Sequence, residues 1–254
     1  MHRGRSFEEP FGWWGPIWDT PLHRSLPELV GQGVLTAEVA ALLATLVAKR
    51  ASIVVAADSS GAGKTTLLTA ILDYLPPGSG RVYIRGCYEP FDFLETTDPD
   101  TTALLVNEIS GHLPFYLWGP AVRRVFDAAR RGYQLAATVH ASSVEDFVHS
   151  LVSYPLHVRV EEIQSVDILV LLDAWSDAGN VRRVVRSVMT LSTPAARDRI
   201  EPLKLVTWDE HAGELTISYD VARALYASLG GNPAQLQPLV KREASGLIAS
   251  PISS

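Results

Sequence analysis

The stretch that decides the fold reads Ile53-Val54-Val55-Ala56-Ala57-Asp58-Ser59-Ser60-Gly61-Ala62-Gly63-Lys64-Thr65-Thr66-Leu67-Leu68. It opens with apolar residues, half of them β-branched, which is typical of a buried strand. A loop of Ser, Gly and Ala follows and leads into a segment whose apolar residues repeat with the period of a helix. Strand, glycine-rich loop, Lys-Thr and helix in this order make a P-loop. The sequence therefore predicts a nucleotide-binding protein.

The loop supplies the residues expected to bind nucleotide. Its small residues let consecutive backbone N–H groups turn toward a phosphate, and the helix start adds its positive dipole end. Lys64 would reach the β- and γ-phosphates, and the Thr65 hydroxyl would ligate Mg²⁺. Asp58 stands where the consensus has its first glycine. The alternative is an ordinary glycine-rich turn before a helix. The predicted nucleotide-binding residues are Ser59, Ser60, Gly61, Ala62, Gly63, Lys64, Thr65 and Thr66.

Composition narrows the class of protein. The chain has 254 residues, a formal net charge of −6 and one cysteine. This length suits one large α/β domain with small additions, and the negative charge argues against a nucleic-acid partner. A single cysteine excludes an internal disulfide framework and suits a reducing compartment. Since neither a transmembrane stretch nor a signal peptide is evident, we expect a cytoplasmic protein that contacts membranes through a partner.

The order of predicted elements indicates the fold class. Strands alternate with helices up to about residue 155, which is typical of an α/β protein with a mainly parallel sheet covered by helices on both faces. Two hairpins over residues 168–189 and 203–217 predict a small antiparallel extension. We expect an N-terminal segment and lead-in helix at 1–50, a P-loop domain at 51–230 and a flexible tail at 231–254. Three tryptophans near the N-terminus are too apolar for a solvated tail, so we expect them to pack against the domain itself rather than against a partner: Trp13, Trp14 and Trp18.

Two further residues follow predicted strands directly. A hydrophobic strand ends at Asn107-Glu108, and another ends at His140. Ligands of parallel sheets lie outside the carboxyl ends of the strands, so we expect the P-loop, Glu108 and His140 to face one crevice. Glu108 could hold Mg²⁺ or polarise the water that attacks the γ-phosphate, or it could simply open a loop. His140 could hydrogen-bond the γ-phosphate, or it could be structural.

Several segments together resemble the type II/type IV secretion and pilus-assembly ATPases, in the tight-adherence pilus and type IV secretion branch. Residues 49–66 resemble the nucleotide-binding segment of that family, and residues 104–108 its Walker B strand. Residues 132–141, which end in Thr138-Val139-His140-Ala141, resemble its His box. The strands at 166–170 and 181–184 resemble the pair that follows. The likeness covers residues 26 to 220 in unbroken order.

The resemblance carries expectations about function. Members of the family are cytoplasmic hexameric ATPases of RecA-like fold that power pilus assembly or macromolecule export and dock on inner-membrane platform proteins. It implies ATP and Mg²⁺ as ligands and a ring-shaped homo-oligomer. It also implies that Lys64 and Thr65 hold ATP and Mg²⁺, that Glu108 (also a candidate metal ligand) acts in hydrolysis, and that His140 senses the nucleotide.

The chain also departs from the family. The acidic segment after the second strand reads Arg85-Gly86-Cys87-Tyr88-Glu89, so Glu89 is its one remaining candidate catalytic acid. Ser110 stands where an arginine is expected, Asn107 replaces a glycine, and the N-terminal region is shortened to some 25–50 residues. A neighbouring subunit could supply an arginine instead, although these side chains suit a solvated face: Arg81, Arg85, Arg123 and Arg130.

Three hypotheses remain. The first is an ATPase motor, the second a nucleotide-binding regulatory subunit with weak or no catalysis, and the third a small-molecule kinase. A kinase needs an acceptor site and usually a lid that carries arginine, and no such lid segment is evident. The Asn-Lys-x-Asp motif of GTPases and the Leu-Ser-Gly-Gly-Gln signature of transporter ATPases are absent from the sequence.

Overall fold

A computed structural model of the chain describes residues 7–10, 13, 23–59, 61–113, 115–177, 179–191, 199–209 and 213–249. Its strands are β1 (Ile53–Ala56), β2 (Gly80–Tyr83), β3 (Thr102–Ile109), β4 (Gln134–Val139), β5 (Ile168–Asp177), β6 (Asn180–Thr190), β7 (Leu203–Asp209) and β8 (Glu214–Ile217). Its helices are α1 (Leu26–Gly31), α2 (Ala37–Ala48), α3 (Lys64–Leu72), α4 (Pro120–Arg130), α5 (Val144–Val152), α6 (Val160–Ile163), α7 (Tyr219–Ser228) and α8 (Pro233–Ala249). Short 3-10 turns at Gly86–Tyr88, Asp92–Glu95 and Pro99–Thr101 connect β2 to β3.

The described strands form one sheet in the order β2-β3-β4-β1-β5-β6-β7-β8. The five strands from β2 to β5 in this order run parallel. From β5 to β8 the pairing is antiparallel, and the connections from β5 to β6 and from β7 to β8 span only a few residues. The predicted α/β fold, with its mainly parallel sheet and antiparallel C-terminal extension, is confirmed.

Helices cover both faces of the sheet. Side chains of β1 alternate between the faces, so that Ile53 and Val55 join one apolar core while Val54 and Ala56 join the other. The first core includes buried residues of α2, α3 and α8, and the second includes buried residues of α4 and α5. The strand is buried along its whole length, which explains why its sequence is a continuous apolar run.

Side-chain caps fix where two helices begin. The Thr36 hydroxyl accepts a hydrogen bond from the Val39 amide at 3.3 Å and caps α2, as the sequence predicts. For α5, the serine at Ser142 and the acid three residues later at Glu145 predict a capping box, but the structure places the cap one residue later. Ser143 is the cap and accepts from the Asp146 amide at 3.0 Å. The Asp146 carboxylate in turn accepts from the Ser142 amide and hydroxyl, which prevents Ser142 from capping.

The C-terminal segment differs from its prediction. The sequence predicts a flexible tail over residues 231–254, but the structure has helix α8 from Pro233 to Ala249, packed against α2. Its buried residues Leu236, Val240 and Ala244 recur every fourth position and make a narrow apolar stripe. Residues 250–254 lie outside the described part. Neither α8 nor another helix in the described ranges combines the length and apolar character needed to cross a bilayer.

Trp13 lies against the sheet. Its ring meets the Tyr83 ring edge to face, with 5.0 Å between centroids, and its indole N–H donates to the Ile84 carbonyl at 3.4 Å. The side-chain amide of Asn107 donates to the Trp13 carbonyl. Docking within the chain is therefore correct for Trp13, while Trp14 and Trp18 lie outside the described residues.

Candidate functional site

The loop between β1 and α3 exposes backbone amides at a helix start. Gly61 and Gly63 have φ angles of +74° and +91°, which favour glycine and turn the chain sharply into α3. The first backbone bond of the helix runs from the Leu67 amide to the Gly63 carbonyl at 2.9 Å, and no described side chain caps this end. The preceding amides, including those of Lys64 and Thr65, are therefore available to an anion. Ser60 lies outside the described residues.

Lys64 points from the helix start toward a carboxylate and an imidazole. Its side chain is only 6% exposed, and its Nζ atom lies 3.9 Å from Oε2 of Glu108 and 3.4 Å from Nε2 of His140. Burial lowers the pKa of the Lys64 ammonium, and the nearby Glu108 charge partly raises it again. A buried ammonium of this kind is suited to bind an anion that enters the loop.

Glu108 lies near the end of β3, where the pairing with β4 becomes irregular between Val106 and Ile109. Its carbonyl accepts from the Leu117 amide at 2.9 Å, which anchors the strand end to the segment that follows. Its carboxylate lies beside Tyr116, and burial followed by the Glu108 charge raises the pKa of the Tyr116 hydroxyl. The carboxylate is thus held near the P-loop rather than in solvent.

His140 follows β4 and faces the same place. Its Nε2 atom lies 3.2 Å from Oε1 of Glu108, and its Nδ1 atom lies 3.2 Å from the carbonyl oxygen of Asp58. A carbonyl oxygen can only accept, so this contact is a hydrogen bond when Nδ1 of His140 carries the proton. The structure thus brings the P-loop, Glu108 and His140 into one crevice, as the carboxyl-end rule predicts for neighbouring parallel strands.

A cavity of about 420 Å³ opens in front of the loop, a volume within the range of roughly 300–1,000 Å³ typical of small-ligand pockets. Its cations and amides suit a polyphosphate, and the Thr65 hydroxyl and Glu108 carboxylate are the hard oxygen donors that Mg²⁺ prefers. The described P-loop residues from Gly61 to Thr66 line it. Other lining residues include Glu108 and three for which the sequence pattern predicts no role at the site: Arg24, Tyr116 and Arg183.

Arg183 reaches the P-loop from β6. Its Nε atom donates to the Gly61 carbonyl at 2.9 Å. A Cβ atom on Gly63 would lie 3.2 Å from its Cδ atom, so the missing side chain at Gly63 leaves room for the arginine. The strand register that pairs Arg183 with Ala174 of β5 places it here. A guanidinium at this position adds a second positive charge to the loop.

Glu89 and three of the four arginines considered for a role in trans make contacts away from the cavity. The two carboxylate oxygens of Glu89 accept from the amides of Arg85 and Phe91, each at 2.9 Å. Glu89 is not among the described residues that line the cavity, and its catalytic role stays a prediction. Three of the arginines contact their own chain: Arg81 the Leu72 carbonyl, Arg123 Glu162, and Arg130 Asp127. Arg85 is exposed.

Two solved structures are similar to this chain. The VirB11 ATPase from the Brucella suis type IV secretion system, solved in complex with sulphate, has a TM-score of 0.41 and 16% identity, over 85% of this chain and 63% of that one. The Legionella pneumophila ATPase DotB has a TM-score of 0.35 and 19% identity, over 79% and 54%. The match spans less than two thirds of either neighbour. No family model and no curated protein matches the chain. At these identities and TM-scores, neither likeness assigns a function to this chain.

Proposed function

We propose that this chain is a P-loop ATPase that binds ATP with Mg²⁺ in the cavity before α3 and hydrolyses the γ-phosphate. One observation carries the proposal: a buried lysine at a helix start, a carboxylate and an imidazole from three different elements lie together, beside a cavity that the lysine and the carboxylate line. Lys64, Glu108 and His140 are 3.2–3.9 Å apart at their polar atoms. A purely structural cluster would not need the uncapped helix start beside it.

Each of these residues has a defined task in the proposed reaction. The amides before Leu67 and the Lys64 ammonium would hold the β- and γ-phosphates, and the ammonium would leave Glu108 for this stronger negative charge. Glu108 would then be free to take a proton from the water whose oxygen bonds to the γ-phosphorus, while the bond from that phosphorus to the β–γ bridging oxygen breaks and ADP leaves. His140, oriented by the Asp58 carbonyl, would contact the γ-phosphate. Mg²⁺ would be held by the Thr65 hydroxyl, with the Glu108 carboxylate reaching it only through a bound water, and would supply charge neutralisation on the phosphate oxygens.

The resemblance of the motifs to secretion and pilus-assembly ATPases supports a cellular role. We propose a cytoplasmic motor subunit that forms a ring-shaped homo-oligomer, hexameric as in that family. Its partner would be an inner-membrane platform protein of a pilus or secretion machine. With a net charge of −6, nucleic acid is not its expected cargo.

A regulatory subunit that binds ATP without hydrolysing it is the second candidate. One observation favours this candidate. The Glu89 carboxylate accepts hydrogen bonds from backbone amides of its own loop and does not point to the cavity as a catalytic acid would. The neighbouring Arg85 places a cation where the resembled family has an acid. Such a chain would keep the phosphate-binding half of the cavity and lack part of the catalytic half.

The deciding experiment compares the wild type with Glu108→Gln and with a control, Glu145→Gln, which changes an exposed acid in the first turn of α5. ATP affinity, Mg-ATP turnover and mass by light scattering are measured on the same samples. An ATPase motor predicts an oligomer in which Glu108→Gln binds ATP but stops turnover, while Glu145→Gln behaves as wild type. If the wild type is a monomer that binds ATP without hydrolysing it, the result would contradict the motor and support the regulatory subunit. A very slow rate of ATP hydrolysis by the wild type would instead indicate a kinase measured without its phosphate acceptor.

A further inference from the structure

A third metal-ligating side chain stands beside Glu108 and His140. His112 lies in the loop after β3, and one ligand atom from each of the three residues lies within 4.8 Å of the other two. The imidazole rings of His112 and His140 meet edge to face, with 5.7 Å between centroids. The proposed hydrolysis gives His112 no task. Two imidazoles and a carboxylate are a donor set that zinc-class transition metals favour, whereas Mg²⁺ favours oxygen alone.

The pair of His140 and Glu108 already has the spacing of metal ligands. Bonds of about 2.0–2.1 Å from a tetrahedral metal place two ligand atoms about 3.3–3.4 Å apart. The observed distance from His140 Nε2 to Glu108 Oε1 is 3.2 Å. The other ring nitrogen of His140 lies 3.2 Å from the Asp58 carbonyl oxygen, and a hydrogen bond to such an outer partner orients metal-bound histidines in general. The ring is therefore held with Nε2 directed at the site.

The loop of His112 is anchored at both ends while the ring is exposed. The Ser110 amide donates to the Leu117 carbonyl at 3.1 Å, and the His112 amide donates to the Ser110 hydroxyl at 3.2 Å. Gly111 fits beneath the Trp118 ring, where a Cβ atom would come within 3.0 Å. The backbone is thus fixed near the site, and rotation of the exposed His112 side chain can bring its nitrogen to ligand distance.

Lys64 competes for the same carboxylate. Its Nζ atom lies 3.9 Å from Glu108 and 3.4 Å from Nε2 of His140, so a metal dication at these ligands would repel the ammonium. The cavity in front of the loop gives Lys64 room to turn away. Metal binding would also occupy Glu108, which makes such a metal an inhibitor of any reaction in which Glu108 acts as base.

From this geometry we infer that Glu108, His112 and His140 form a binding site for a zinc-class divalent metal, with a fourth position open to water. This site goes beyond the proposed ATPase function and does not depend on nucleotide. Its metal would bind the Glu108 carboxylate directly, whereas the Mg²⁺ that would accompany ATP is held by the Thr65 hydroxyl.

The test titrates Zn²⁺ alone into the metal-free full-length chain by calorimetry, with Co²⁺ absorption as a second readout of ligand geometry. The wild type is expected to bind one Zn²⁺, and His112→Ala to bind it at least about 10-fold more weakly. His149→Ala, an exposed histidine on α5, and Cys87→Ser, which removes the single thiol, are expected to bind as wild type.

The inference is overturned if His112→Ala binds Zn²⁺ as tightly as the wild type, or if the wild type shows no stoichiometric site. Equal weakening in His112→Ala and His149→Ala would also contradict it, because scattered surface histidines would then explain the binding. Mg-ATP turnover of His112→Ala without Zn²⁺ separates this result from the proposed function. That turnover should match the wild type, since His112 has no task in hydrolysis.

Discussion

The Nε2 atom of His140 lies 3.2 Å from Oε1 of Glu108, although the two residues come from the ends of different strands. The strands β3 and β4 are parallel neighbours, so their carboxyl ends meet at one edge of the sheet. Lys64 completes the group from the start of α3. A cation, an anion and an imidazole therefore share one mostly buried place, and the chemistry proposed for the chain depends on this convergence.

Arg183→Ala tests whether the second cation at the loop acts on phosphate. We expect ATP affinity to fall about 10-fold or more, since a charge-assisted hydrogen bond contributes about 1.5–3 kcal/mol. The matched control is Arg182→Ala, because the adjacent strand residue projects to the opposite face. Affinity is measured by fluorescence titration with a labelled ATP analogue. Equal losses in both variants would show that Arg183 acts only through general surface charge.

Gly86→Ala tests how the loop after β2 supports the Glu108 segment. Gly86 has a φ of +59°, and a Cβ atom there would lie 2.3 Å from the Phe115 carbonyl oxygen. Gly33 has a φ of +73° with no atom within 4 Å of such a Cβ, so Gly33→Ala isolates the conformational cost alone. We expect Gly33→Ala to cost about 1 kcal/mol and Gly86→Ala about 3 kcal/mol or more in urea unfolding. Similar losses would mean that the Phe115 segment moves aside freely.

Trp13→Ala tests whether the N-terminal segment contributes to stability. The ring packs against Tyr83, and its N–H donates to the Ile84 carbonyl. We expect a loss of about 1–3 kcal/mol in the free energy of unfolding, measured by urea titration with circular dichroism. Trp208→Ala removes a 47% exposed tryptophan from β7 and should cost much less. Equal stability of Trp13→Ala and wild type would contradict the docked position.

Asp167 should make stability depend on pH. Burial raises the pKa of its carboxyl from 3.8 to about 6, although the Ser52 amide donates to Oδ2 at 2.7 Å. The native state thus keeps this proton to higher pH than the unfolded chain does. The contribution of Asp167 to stability falls as the pH rises from about 4 to about 6, by up to about 3 kcal/mol.

Asp167→Asn removes this titration, so the variant should gain stability over wild type as the pH rises through that window. Urea unfolding at pH 5 and pH 7.5 measures the change. Asp220→Asn, at a fully exposed carboxylate on α7, controls for the loss of one negative charge. An unchanged difference between Asp167→Asn and wild type at the two pH values would rule out the raised pKa.

The parts of the fold that follow from local patterns are predictable. The apolar run of β1 and the cap at Thr36 specify their elements directly, and the carboxyl-end rule then places Glu108 and His140 beside the P-loop. These predictions need only the period of the side chains and the direction of parallel strands. For this reason the sequence alone predicts that Glu108 and His140 lie close to the P-loop.

Other parts depend on tertiary contacts that carry no local signal. Arg183 reaches Gly61 because of the β5–β6 register, and His112 reaches His140 because the Leu117 segment folds back on Glu108. Helix α8 is specified by packing on α2 rather than by a strong amphipathic pattern, and its Ser, Ala and Pro content resembles a tail. Sequence spacing cannot show which distant residues meet in these ways.

The most direct test of the proposed function is the affinity for Mg-ATP of wild type, Lys64→Ala and Lys204→Ala, measured by isothermal titration calorimetry. Lys204 is an exposed lysine on β7, so its removal controls for lost positive charge. We predict saturable binding by wild type and Lys204→Ala, and at least about 10-fold weaker binding by a folded Lys64→Ala. Wild-type affinity in Lys64→Ala, or no binding by the wild type, would contradict the nucleotide site at the start of α3.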